Sequence, residues 1–137
     1  MSASPDASML WPARCIVRFM ESGDASLLDE VFAEHCEIVD SFAPFLFDGP
    51  DAPGDWARRF GLHISSHEHL QAEIRPAEEF GEDGDRVYFS LPVLWRYTLR
   101  GIAYRELGAL AVVLHRTYGT WRVIRSSWAV ASTERAM

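Results

Sequence analysis

At His67 the apolar spacing of this chain changes from the helical period of about 3.6 to the strand period of 2, and it does not change back. The strand-like segments that follow are 68–80, 86–99, 102–116 and 120–131. They are separated by Gly81-Glu82-Asp83-Gly84-Asp85, by Arg100-Gly101 and by Tyr118-Gly119, all hairpin-turn chemistry. Long strands joined by such short turns can form little else than an antiparallel meander.

Ahead of the switch the spacing is helical. Ser4 is expected as the N-cap and Pro5 in the first turn of a helix carrying Trp11, Cys15 and Phe19 on one side, with Ile16 and Met20 beside them. Residues 1–6 are otherwise expected as a disordered tail. Gly23 ends this helix, and Asp24 starts a second with the apolar set Leu27, Leu28, Val31 and Phe32. A strand from Cys36 to Asp40 follows, then an apolar loop or short strand, Phe42 to Phe47, closed by Asp48-Gly49-Pro50. A third helix is expected from about Asp51 to Ser66, with Trp56, Phe60 and Ile64 buried.

Helices first and strands later give an α+β class. A twisted sheet of long strands does not stay flat. With three helices from the N-terminal half packed on its concave side it becomes a cone-shaped, curved antiparallel sheet. Pro92 then needs a bulge or an edge position. The cone has one helix-plugged end and one open mouth, where a ligand-sized cavity is expected. The 137 residues form one domain, 1–137.

Composition narrows the function. Five Trp and eight Phe exclude disorder. A net charge of −7 argues against nucleic acid or an anionic membrane as partner. All thirteen basic residues are Arg, so Schiff-base chemistry, a lysine-held cofactor and a P-loop are excluded. Asn is absent too, which excludes N-glycosylation. Cys15 and Cys36 lack metal or redox spacing and are expected as buried thiols. The start has no basic segment followed by an apolar one, and no apolar run reaches membrane-spanning length, so a soluble cytoplasmic protein without cofactor is expected. His63, His67 and His69 do not converge on one point and are not read as a metal site. His63 and His67 remain candidate polar partners for a ligand at the mouth.

The chemical hint is Asp40, an acid at the end of an apolar strand. With Val39, Phe42 and Phe45 around it, its carboxylate could serve as a pocket base. The competing reading is an Asp that caps its own turn.

The run Phe32-Ala33-Glu34-His35-Cys36-Glu37-Ile38-Val39-Asp40, the Gly49, Ala52 and Trp56 of a helix start, and the closing Gly119-Thr120-Trp121-Arg122-Val123-Ile124 through Trp128 together resemble the nuclear transport factor 2-like superfamily. This is the cone fold, a cystatin-like α+β barrel, of ketosteroid isomerase, scytalone dehydratase, limonene epoxide hydrolase and the SnoaL-like polyketide cyclases. The resemblance spans nearly the whole chain and implies fold more than function. It puts Asp40 where the ketosteroid isomerases keep their proton-shuttling carboxylate. It also implies a pocket lined by Ile16, Phe42, Trp56, Phe60, Val93, Trp95, Tyr97, Ala111, Ile124, Ser126 and Trp128. The oxyanion donors of those isomerases are missing: Ile16 stands in place of the Tyr, and Leu110 or Ala111 in place of the protonated Asp. Losing one such donor costs about 3–4 kcal/mol of transition-state stabilisation, so that mechanism is rejected.

The expected function is therefore a pocket protein for a small hydrophobic, cyclic ligand, with general-base isomerase, cyclase or dehydratase chemistry by Asp40. The alternative is a non-catalytic ligand-binding or dimerisation module. A homodimer through the sheet is expected as well, on an apolar convex face of Leu94, Leu110, Val112, Leu114 and Val123.

Overall fold

The computed structural model describes residues 4–136. Its elements are α1 (Ala7–Ser22), a single 3-10 turn (Ala25–Leu28), β1 (Phe32–Val39), β2 (Leu46–Asp48), α2 (Ala52–His63), β3 (His67–Ile74), β4 (Glu78–Asp83), β5 (Arg86–Leu99), β6 (Ile102–Thr117) and β7 (Thr120–Arg135). The strands form one curved sheet in the order β2-β1-β7-β6-β5-β3, with β4 also on β5. All neighbours are antiparallel except β1 and β7, which run parallel.

Two turns fix the meander. Arg100 and Gly101 have φ of 51° and 79°, and Tyr118 and Gly119 have 52° and 80°. Positive φ at both central residues is the type I′ geometry whose twist matches that of the flanking strands. The first of these turns pairs Leu99 with Ile102, and the register then runs unbroken to Arg86 opposite His115.

The expected strand 68–80 is two strands. It breaks at Arg75-Pro76-Ala77, and its halves pair with successive stretches of β5. The cause is a pair of prolines. Pro76 cannot donate to the ladder, and Pro92 of β5 has no N–H to offer on that side. The gap in the edge falls beside Pro92, whose carbonyl accepts from the Arg75 N–H at 2.9 Å. Pro92 thus sits in an inner strand at the one place where that strand is locally an edge.

The helices differ from expectation in two places. Asp6, not Ser4, caps α1: its carboxylate accepts from the Met9 N–H at 3.1 Å, and Gly23 closes the other end at φ 77°. Pro5 is buried, and residues 1–3 lie outside the described residues. Replacing Asp6 by Ala is expected to cost about 1 kcal/mol, read as a lower urea midpoint. The second helix shrinks to the 3-10 turn. Glu30 takes a positive φ of 63°, which swings the chain straight into β1. Phe32, assigned to that helix from its spacing, opens the strand instead. The helical look of the run comes from irregular pairing. Phe32 sits opposite Val123 and Glu37 opposite Arg125, so β1 bulges between them.

α1 packs against β3, β6 and β7, and α2 against β1 and β2. Ala13, Ile16, Val17 and Met20 of α1 are buried, whereas Trp11 is half exposed. Glu21, in the last turn of α1, accepts from the Ala72 N–H at 2.8 Å and so occupies the free edge of β3. Cys15 and Cys36 are free buried thiols, and burial pushes Cys36 up to about 11.

The concave face carries Val87, Phe89, Leu91, Val93, Trp95 and Tyr97 of β5 opposite Leu114, Val112, Leu110, Gly108, Glu106 and Tyr104 of β6. Leu110, Val112, Leu114 and Val123 therefore point into the core and are 2 % exposed or less. They do not form the convex apolar face on which the homodimer expectation rested. Of the five residues expected there, Leu94 alone lies on that side.

Candidate active site at the open end of the cone

The C-terminal ends of β1 and α2 converge on the start of β3, the end of β5, the start of β6 and the second half of β7. Between them lies a cavity of about 80 Å³, lined by Met20, Asp40, Ser41, Phe60, His63, Ile64, His67, Leu70, Trp95, Tyr97, Glu106, Trp128 and Val130. One wall is hydrocarbon and indole. The other holds four titratable side chains and a phenol.

Asp40 ends β1 and is 5 % exposed. Its backbone N–H donates to the Phe45 carbonyl at 3.1 Å, which holds the turn. The Trp56 indole Nε1–H donates to Oδ2 at 2.9 Å, and the Ser41 N–H donates to Oδ1 at 2.7 Å. The turn-capping role and the pocket-facing role thus coexist in one side chain. Burial raises the pKa of Asp40; the hydrogen bonds from Trp56 and Ser41 and the charge of His63 oppose that rise.

The histidines close the mouth. His63, in the last turn of α2, stacks on Phe42 at 4.8 Å. His67 packs against Tyr97 at 4.5 Å, and its Nδ1 is buried with no hydrogen-bond partner among the described residues. Burial, reinforced by His63's charge, lowers the His67 pKa, which favours the neutral ring. A basic group depressed in the folded state lends stability above its unfolded value near 6.5, and that stability is lost as pH falls through the folded value. Imidazole NMR titration is expected to show His67 titrating below 6.5. A His67→Phe variant is expected to lose this part of the acid-side decline in urea midpoint.

Tyr97 donates its hydroxyl to Glu106 Oε1 at 3.3 Å and stacks on Tyr104 at 5.7 Å. Burial first, then the Glu106 charge, push the phenol up to about 12. Burial also raises Glu106, against hydrogen bonds from Tyr97 and Thr133.

Glu106 was not among the residues singled out from the sequence. The signal was available: counting back through the two-residue turn at Arg100-Gly101 puts residue 106 opposite 95, on the face of Trp95 and Tyr97.

Of the expected site residues, Asp40, Phe60, Trp95, Tyr97, Trp128, His63 and His67 line the cavity. Trp56 stands behind Asp40 as its donor, and Phe42 flanks the mouth against His63. Ile16, Val93 and Ser126 face inward but lie in the filled core; Met20, one turn beyond Ile16, takes its place at the cavity. Ala111 and Ile124 do not face the cavity. Ala111 is out of phase with its inward neighbours Leu110 and Val112, and Ile124 sits in a bulge where the register shifts between Val113 and Leu114. Among the described residues no group of three or more His, Cys, Asp or Glu is placed to hold a metal, and no helix is long and apolar enough to cross a membrane.

No protein-family model matches the chain, and no curated protein matches it in sequence. Solved structures do match. Hexachlorocyclohexane dehydrochlorinase LinA-type3 from Novosphingobium barchaimii superposes with a TM-score of 0.80 at 10 % identity, over 95 % of this chain and 88 % of that one. A putative scytalone dehydratase from Novosphingobium aromaticivorans gives 0.69 at 14 % identity, over 94 % and 87 %. An NTF2-like protein with a cystatin-like fold from the same organism gives 0.68 at 20 % identity, over 93 % and 82 %. At these identities the likeness speaks for architecture alone. The curved sheet, the helices in its hollow and the open-ended cavity are those of the NTF2-like, cystatin-like fold, and this chain has that fold.

Proposed function

We propose that this protein is a proton-transferring enzyme of the lyase or isomerase kind, with Asp40 as the base that takes a carbon-bound proton from a compact, neutral, ring-sized molecule. The observation that carries the reading is a buried carboxylate on the wall of an apolar-backed cavity, fixed by an indole N–H and a backbone N–H and with no arginine against it. A carboxylate in such a place costs folding free energy, and a raised pKa makes it a better base once ionised. Two of the structural neighbours bear names of eliminations, a dehydrochlorinase and a putative dehydratase, which supports the same class of chemistry.

The cavity limits the substrate. At about 80 Å³ it is small beside the ~300–1,000 Å³ of pockets that take drug-sized ligands. Two carboxyl groups on the wall disfavour an anion, and Trp95, Trp128 and Phe60 favour a flat apolar body.

The test is hydrogen exchange at carbon. Cyclohexanone and its hydroxylated and unsaturated relatives are incubated with the protein in D2O and followed by proton NMR. Deuterium entering next to the carbonyl faster than in buffer is the expected result. Saturable binding of these ketones without any exchange would instead fit a ligand-binding module.

A further inference from the structure

We infer that Glu106 is a second catalytic residue of this site, a carboxyl two strands from Asp40 that hands a proton, from beside the Tyr97 hydroxyl, to the oxygen leaving the substrate. The inference rests on the reading of Asp40 as base and adds to it the direction of the reaction: elimination of water from a β-hydroxy carbonyl compound.

Glu106 faces inward with Tyr104, Gly108 and Leu110, on a strand face whose other charged residue, Arg116, lies at the far end over Trp121. The chain has thirteen arginines, and other acids use them: Glu37 pairs with Arg125, Glu73 with Arg96 and Glu134 with Arg105. None of the ion pairs among the described residues includes Glu106. Its partners are hydroxyls, Tyr97 and Thr133. A side chain needed only for packing at this position would be apolar, or an amide, at lower cost. Both hydroxyl partners are neutral, with Tyr97 on Oε1, so no paired cation holds the carboxyl ionised and it can carry a transferable proton. Burial and the neighbouring Asp40 charge favour the protonated form of Glu106, against the hydrogen bonds from Tyr97 and Thr133 and the charge of His63.

The step balances within the cavity. Asp40 removes the proton from the carbon between carbonyl and carbinol. The electron pair of that C–H bond moves toward the carbonyl oxygen to give an enolate, which either takes a proton back at carbon or collapses to the new C=C bond as the C–O bond breaks. The departing hydroxyl takes the Glu106 proton and leaves as water. Asp40 then holds one proton more and Glu106 one fewer, and the released water, against both groups, returns the proton. The net reaction is β-hydroxy ketone to conjugated enone plus water.

The probe is 3-hydroxycyclohexanone in D2O, with two readouts: deuterium at the carbon between the two functional groups, and the ultraviolet absorbance of cyclohexenone. The wild type is expected to give both. Glu106→Gln is expected to form enone about 10²-fold more slowly and to lose much less carbon exchange, so that the ratio of exchange to enone rises by about tenfold or more. Tyr97→Phe, which keeps the ring and removes only the hydroxyl, is expected to show the same split at about tenfold, and it decides the matter if Glu106→Gln does not fold. Equal loss of both readouts, or of neither, overturns the role of Glu106 and leaves Asp40 standing. Absence of exchange in the wild type overturns the Asp40 base itself, and the assigned role of Glu106 with it.

Discussion

Asp40→Asn abolishes exchange at carbon in the assay above: a loss of about 10²–10⁴ is expected, the usual worth of a positioned general base. The substitution keeps the shape and keeps one acceptor for the Trp56 indole or the Ser41 N–H, so the cavity persists. Trp56→Phe separates position from basicity. It leaves Asp40 in place without its 2.9 Å donor and is expected to fall between the wild type and the Asn variant. Stability supplies an independent check. The Asp40 pKa is raised above its unfolded value of 3.8, so its contribution is fully present below that value and is lost as pH rises through the folded value. The Asn variant lacks that decline. Its urea midpoint relative to wild type is therefore expected to improve as pH rises from 3.8 through the folded value and to level off above it, while activity stays absent. A flat difference across that range would mean that the carboxylate ionises in the fold as easily as in the unfolded chain, and the case for a tuned base would fail.

Gly108→Ala is the second large expectation, and it concerns the wall of the cavity. Gly108 lies opposite Val93 on one side and Val130 on the other. A methyl group there would meet Trp128 Cζ2 at 2.5 Å, the Ala129 carbonyl oxygen at 2.6 Å and Trp128 Cη2 at 2.7 Å. The indole could swing away, but only toward the hollow it lines. The carbonyl belongs to the β6–β7 ladder, next to a register shift, and has little room to move. Overpacking of this kind costs about 3 kcal/mol, and more when backbone is involved. The expected result is a clear drop in urea midpoint together with loss of ketone binding, because the displaced ring fills the space. Adding Trp128→Phe should recover part of the stability, since the smaller ring removes two of the three contacts. A Gly108→Ala protein as stable as wild type would show that the indole is not held against β6.

Both expectations depend on features that differ in how visible they were. The meander was legible because a two-residue turn with Gly at its second position leaves one twist and one register. From that register Trp95, Tyr97 and Glu106 share one face; that it is the inner face was implied by the family resemblance. The assignment failed where local spacing mimics another element. Leu27, Leu28, Val31 and Phe32 fit a helical face, yet a positive φ at Glu30 and the bulge in β1 make the same spacing part of a turn and a strand. The convex apolar face failed for a similar reason. Leu110, Val112 and Leu114 alternate as a strand should, but alternation alone does not say which of the two faces is the inner one.

By itself the sequence determined the α+β order, the hairpin turns and the placing of one acid, Asp40, at the end of an apolar strand, because period and turn chemistry act within a few residues. Only the tertiary structure decided how deep each inward residue lies along the cone. Ile16, Val93 and Ser126 fill its core while Met20, Trp95 and Trp128 border its hollow, because depth depends on where α1 and α2 stop against the sheet. It also brought Glu106 into one cavity with Asp40 across β7, a pairing between residues 66 positions apart (106 − 40) that no local pattern encodes.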